Sequence, residues 1–308
     1  MILVITGPTA TGKSALGVKL AQEIGGEIVS ADSMQVYKYM DIGTAKPTVA
    51  ERNGVPHYLI DFLPPWEDYS VASYVEDASK CIDDIFKRGK IPVLVGGTGF
   101  YIDSLLTGRV FSARGDDSLR KQLEDEFDNI GGDAMLEKLR EIDADRALKL
   151  HSNDKKRIVR AIEAFMTTGI SISRHDLESK SVPPRYESIK FALTFSDRKE
   201  LYERINRRVD GMMLRGLVDE VKSLLQMGVS SESTSMQAIG YKEISAALRG
   251  DNDMAYAEEK IKMESRRYAK RQLTWLRRDD EVVWINRENS FDIDDTAQRI
   301  MEQIYEEK

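Results

Sequence analysis

Residues 7–14 read Gly-Pro-Thr-Ala-Thr-Gly-Lys-Ser, directly after the apolar run Ile2, Leu3, Val4, Ile5 and directly before Ala15, Leu16, Val18, Leu20 and Ala21. A buried strand that passes through a glycine loop into a helix commits the chain to an α/β fold with a parallel sheet. The spacing of Gly7, Gly12, Lys13 and Ser14 fits the G-x-x-x-x-G-K-[ST] phosphate loop, and an ordinary glycine turn would not call for Lys-Ser directly after Gly12. Without a Cβ, Gly7 and Gly12 let the backbone turn successive N–H groups inward at the positive end of the helix. The segment Gly7, Pro8, Thr9, Ala10, Thr11, Gly12, Lys13 and Ser14 is therefore the candidate phosphate site, with Lys13 on the terminal phosphate and the Ser14 hydroxyl on Mg²⁺. The loop alone does not name the phosphate ester, since kinases, NTPases and some transferases all use it.

The same sheet should supply the neighbouring groups. Gly25 and Gly26 close the first helix, and Glu27 to Ala31 reads as a second strand that ends at Asp32, Ser33, Met34 and Gln35. Ligands of open parallel sheets bind beyond the carboxyl ends of the strands, so Asp32 is expected to face the phosphate loop as a base or a metal carboxylate; an Asp capping the following turn is the competing reading. Tyr58, Leu59, Ile60 and Asp61 have the form of a Walker-B strand, or of a helix or loop. A helix is predicted from Ser70 to Arg88, with the single cysteine, Cys81, as filler. Ile91 to Val95 is the next strand, leading into Gly96, Gly97, Thr98 and Gly99 and then a helix to about Leu106. That second glycine turn would bring the Thr98 hydroxyl close to the same crevice.

From about Ala113 to Pro184 the apolar runs vanish and charged helical patterns take over: Leu119 to Phe127, Ala134 to Ile142, Ala147 to Leu150 and Lys155 to Thr168. We read three segments: 1–112 as the first part of the core, 113–184 as a helical insertion, and 185–308 as the completion of the core, rich in helices. The last opens on a strand through Ile189, Phe191, Leu193 and Phe195, and holds a strand at Val282 to Ile285. Arg157 and Arg160 share one face of an insertion helix, as a cation site or as a solvated helix end. The run Ala255 to Arg278 carries eight Lys or Arg residues with Tyr268 and Trp275 among them, a composition that suits a polyanion, or simply an exposed basic face. With a net charge of −7 over 308 residues, attraction to nucleic acid has to come from such local surfaces. One cysteine excludes an internal disulfide or a cysteine-rich zinc module, and no apolar run or leader suggests a membrane, so a cytoplasmic protein is expected; it is taken as a monomer.

Several stretches in order resemble the tRNA dimethylallyltransferase (tRNA isopentenyltransferase) family in its bacterial form. They are residues 7–14, Ser-Ala-Asp-Ser-Met-Gln-Val-Tyr at 30, Met-Asp-Ile-Gly-Thr-Ala-Lys-Pro at 40 and Gly-Gly-Thr-Gly-Phe-Tyr at 96. Asn-Asp-Lys-Lys-Arg-Ile-Val-Arg-Ala-Ile-Glu at 153, Gln-Ala-Ile-Gly-Tyr-Lys-Glu at 237 and Arg-Gln-Leu-Thr-Trp-Leu-Arg at 271 complete the set. The resemblance implies a P-loop NTPase-like core with a helical insertion that takes part in tRNA binding. It also implies transfer of a dimethylallyl group from dimethylallyl diphosphate to the N6 amine of the adenosine 3′ of the anticodon, with Mg²⁺. Asp32 would be the general base, Thr98 would orient the amine, and Arg208, beside Arg204 and Arg207, would grip the diphosphate. Asp32, Ser33, Met34, Gln35, Thr98, Arg120, Lys156, Arg157, Ile158, Val159 and Arg160 would hold the RNA. The rivals are an adenylate isopentenyltransferase acting on free AMP, ADP or ATP, a small-molecule P-loop kinase and a non-catalytic RNA-binding ATPase.

Overall fold

A computed structural model describes residues 1–109, 111, 117–287 and 292–306. Six strands form one all-parallel sheet: β1 (Ile2–Thr6), β2 (Glu27–Ala31), β3 (His57–Tyr58), β4 (Pro92–Gly96), β5 (Ser188–Phe195) and β6 (Val282–Arg287), in the order β3-β2-β4-β1-β5-β6. Every residue of β1, β2 and β4 is buried, as in a parallel sheet covered on both faces. Leu3, Ile5, Ile28, Val93 and Val95 pack with α1 (Lys13–Glu23) and α13 (Ile293–Glu306), while α2 (Val71–Lys87) also lies on β2 and β4. Ser70 caps α2, its hydroxyl accepting from Ser73 N at 3.1 Å.

Register places the candidate residues. Ala31 pairs with Gly96 and Ile5 with Val95, so the turns that follow β2, β4 and β1 leave three adjacent strands at the same end. These turns are Asp32–Gln35, Gly97–Thr98 before α3 (Gly99–Leu106), and the glycine loop. The Tyr58–Asp61 run does not continue as a strand: β3 stops at Tyr58, Leu59 and Asp61 take positive φ, and Asp61 accepts from Lys46 Nζ at 2.8 Å. Asp61 is thus the partner of a buried lysine instead of a Walker-B carboxylate.

The chain divides into two compact units, residues 1–105 with 186–308, and residues 106–185. In the first, α9 (Arg198–Leu214), α10 (Leu217–Gln226), α11 (Tyr241–Arg249) and α12 (Met254–Leu276) build a second core with Val36, Tyr37 and Met40. The second is all helical, with α4 (Asp117–Ile130), α5 (Gly132–Ile142), α6 (Ala144–Ala147), α7 (Lys155–Thr168) and α8 (Ile172–Ser181). Its ends are tied by a backbone bond from Arg185 N to Leu106 O, 2.8 Å, so it is wider than the segment 113–184 read from composition. Two local expectations change here. The short helix expected at Ala147 to Leu150 instead spans Ala144 to Ala147, its start set by Asp143, which caps it by accepting from Arg146 N. The sequence reading also gave no helix at 172–181, where Ser171 caps a helix with few apolar residues.

Candidate functional site

The glycine loop reaches α1 without a side-chain cap: Gly12, at φ 89°, is the N-cap, and no acidic residue sits in the first turn. The first N–H groups of α1 are therefore left for an anion. Thr11 Oγ1 donates to Pro8 O at 2.8 Å, and Lys13 Nζ donates to the same oxygen at 2.8 Å, which folds the lysine back over the loop. Gln272 on α12 bridges the loop to the second glycine turn: its Oε1 accepts from Thr9 N at 2.9 Å and its Nε2 donates to Gly97 O at 2.9 Å. A Cβ on Gly97 would lie 2.2 Å from Gln272 Nε2, so a side chain there would displace this bridge.

One cavity is lined by Thr9, Lys13, Ser14, Asp32, Arg208 and Tyr268, among others; a second, more apolar one shares Thr9, Asp32, Arg208 and Tyr268 and adds Met34, Val209, Met212 and Ile261. Asp32 thus stands on the wall common to both. Its Oδ1 accepts from Met34 N at 2.9 Å and Gln35 N at 3.3 Å, so the turn-capping reading and the site reading hold together. No described residue donates to Oδ2. Thr98 Oγ1 accepts from Ser33 N at 3.2 Å and so pins the Asp32 turn to the second glycine turn.

The electrostatics are those of a site held short of neutrality. Withdrawal from water lowers the Lys13 ammonium to about 7, the nearby Arg208 charge pushes the same way, and Asp32 opposes both. Burial also lowers Arg208 from its ordinary value, again against Asp32. Tyr268 is pushed up to about 12 by burial and then by the Asp32 charge, with hydrogen bonds to Thr98 and Gln272 opposing. Two cations near one carboxylate, with a row of open N–H groups beside them, suit a polyanionic ligand.

A model of the family described as IPP transferase matches residues 35–279, and one described as isopentenyl transferase matches residues 1–62. The chain belongs to the IPP transferase family. As an IPP transferase it is a prenyl-transfer enzyme, 49% identical over 295 residues to the tRNA dimethylallyltransferase of Acetivibrio thermocellus, spanning 96% of this chain and 94% of that one. It is 50% identical over 286 residues to the tRNA dimethylallyltransferase of Carboxydothermus hydrogenoformans, 92% of this chain and 91% of the relative. The solved tRNA isopentenylpyrophosphate transferase of Bacillus halodurans superposes with a TM-score of 0.74 at 41% identity, over 99% of this chain and 95% of that one. A eukaryotic dimethylallyltransferase solved acting on tRNA gives 0.79 at 31% identity, over 92% and 73%.

In this IPP transferase the other sequence candidates fall in different places. Of the three arginines on α9, Arg208 lines both cavities, Arg207 is exposed, and Arg204 Nε donates to Ala10 O at 3.2 Å. Ser33 and Met34 line the second cavity, and Gln35 lines the first with its amide nitrogen tied to Thr44 O and Ala45 O. In the helical unit, Lys156 and Arg157 are exposed, while Arg120 and Arg160 both bind the fully buried Glu163 carboxylate, at 3.0 and 2.9 Å. Ile158 and Val159 turn their side chains into the core of that unit, because α7 is amphipathic and its apolar face points inward. On α12, Tyr268 faces the cavities and Trp275 Nε1 donates to Asp103 Oδ2 at 2.6 Å. Lys262 is held by Asp210, Glu258 and Glu259. Tyr268 and Gln272 are the site residues that pattern reading missed as such; their one sequence signal is the helical spacing of four that puts both on one face.

Proposed function

We propose that this chain moves the dimethylallyl group of dimethylallyl diphosphate onto the N6 amine of the adenosine 3′ of the anticodon in tRNA, as a cytoplasmic monomer. What carries the reading is a single cavity that holds the anion loop, Lys13, Arg208 and the Asp32 carboxylate together. Support for tRNA as acceptor comes from relatives that match over nearly the whole chain and are named for it.

In this reading the diphosphate lies on the open N–H groups of α1, with Lys13 and Arg208 compensating the charge that grows as the allylic C–O bond breaks and its electron pair leaves on oxygen. The N6 nitrogen forms the new C–N bond and gives its proton to Asp32, whose Oδ2 is the oxygen left for it. An adenine amine is a poor nucleophile because its lone pair is delocalised, so a carboxylate at hydrogen-bond distance matters as the bond forms. Thr98 holds the Asp32 turn through Ser33 N, and Tyr268 lines the same cavity as Asp32. Ser14 lines the same cavity, and no cluster of three or more His, Cys, Asp or Glu among the described residues would hold a metal unaided. The Ser14 hydroxyl fits Mg²⁺, which would bind through that protein oxygen together with substrate phosphates and would add positive charge at the leaving group. The target base leaves its stack, which costs a few kcal/mol, less in a loop than in a duplex. Gln35 Oε1, Lys156, Arg157, Arg160 and Arg120 would hold the RNA.

Incubation with dimethylallyl diphosphate and unmodified tRNA, followed by mass analysis of the nucleosides, is expected to give isopentenyladenosine at that one position. Efficient prenylation of AMP with tRNA untouched would replace this reading by the adenylate transferase, and phosphate transfer from ATP would replace it by the kinase.

A further inference from the structure

Arg204 and Arg287 line neither cavity, yet both grip the anion loop. Arg204 Nε on α9 donates to Ala10 O at 3.2 Å, and Arg287 Nη1, at the end of β6, donates to Thr11 O. Both guanidinium groups lie over the ring of Phe195, at 5.4 and 5.6 Å from its centroid, and Phe195 pairs with Arg287 across β5 and β6. Arg287 is 6% exposed, and a Cβ on Gly12 would stand 2.6 Å from its Nη1. Burial and the Arg204 charge lower Arg287 to about 10, which leaves it protonated at neutral pH.

Two like charges brought together on one ring are costly unless something draws them there, and consecutive carbonyl oxygens of one loop do so. The geometry has a consequence on the other side of the loop. In a trans peptide the carbonyl and the next N–H point in opposite directions, so drawing Ala10 O and Thr11 O outward turns the N–H groups of Thr11 and Gly12 the opposite way. Ala10 itself sits at φ 65°, a left-handed conformation that an L-residue adopts only when its surroundings hold it.

We infer that Arg204 and Arg287 are positioning residues that grip the anion loop by its carbonyls, fixing the peptide planes of residues 10–12 so that their N–H groups meet the diphosphate. The inference rests on the loop holding diphosphate, as proposed above. Phe195 spaces the two cations so that each reaches its own carbonyl.

Arg287→Met and Arg204→Met keep an apolar stem without the charge. Calorimetric titration with inorganic diphosphate and magnesium is expected to show affinity lowered about tenfold in each, with KM for dimethylallyl diphosphate rising in parallel. The KM for tRNA and kcat at saturating dimethylallyl diphosphate stay within about twofold of wild type, a split that a general loss of folding would not give. The double variant loses less than the product of the two single losses, because both residues hold one conformation of the loop. If Arg287→Met does not fold, Arg204→Met on its partly exposed helix decides alone. A folded variant that binds diphosphate as wild type does would overturn the inference while leaving the diphosphate reading intact. Wild-type protein that ignores diphosphate would overturn both.

Discussion

The two ends of β2 carry opposite solutions to the same electrostatic problem. At its start, Glu27 is 2% exposed and fully answered: Arg88 binds it through two nitrogens at 2.6 Å each, Lys90 Nζ at 2.6 Å and Tyr58 OH at 2.8 Å. The Arg88 hydrogen bonds hold its carboxyl down to about 2, with Lys90 and Tyr58 adding to them against burial. Just beyond the other end, Asp32 spends one oxygen on its own turn, and the cations that share its cavity, Lys13 and Arg208, lie below their ordinary values. A network with every group paired stabilises a fold; one left incomplete in a desolvated cavity is completed by a ligand.

The comparison can be broken at either end. Asp32→Asn is expected to cut the single-turnover rate by about 10² to 10⁴, the range of a lost general base, with tRNA affinity and melting temperature unchanged. Glu27→Gln is expected to do the reverse, lowering unfolding stability by about 2 kcal/mol in denaturant titration while the folded enzyme keeps its rate. The pH dependence follows the same sign. The Glu27 value in the folded protein lies below its unfolded value of 4.5, so the stability it supplies is complete above that pH and is lost as pH falls toward about 2.

Lys13 behaves in the opposite sense. With its value lowered to about 7, the free ammonium is partly deprotonated at neutral pH, and a bound diphosphate raises it again. Diphosphate binding near pH 7.5 should therefore take up a fraction of a proton, seen as a dependence of calorimetric heat on the ionisation enthalpy of the buffer. The smallest effect belongs to the exposed cations of the helical unit. Arg157→Ala is expected to weaken tRNA a few-fold and to reduce the slope of log K against log salt by about one, while diphosphate affinity does not change.

What the sequence disclosed follows from how local each feature is. The strand, loop and first helix are legible because glycine spacing and a continuous apolar run lie within a few residues, and the same holds for β2, β4 and α2. The strand order joins residues far apart in the chain and no local pattern encodes it. Gln272 meets Thr9 across 263 positions and Arg287 meets Thr11 across 276, so neither contact leaves a periodicity to read. Asp61 and the pair Ile158 and Val159 show a related limit: a motif names a segment, and only the fold decides which of its side chains turn toward solvent, core or site.

The most direct test of the account is a crystal structure with inorganic diphosphate and an unmodified anticodon stem-loop bound together. The account predicts diphosphate on the N–H groups of the glycine loop and an Asp32 oxygen about 3 Å from N6 of the flipped adenine, within hydrogen-bond reach. An adenine amine facing away from Asp32, or a nucleoside triphosphate taking the loop in preference to diphosphate, would contradict it.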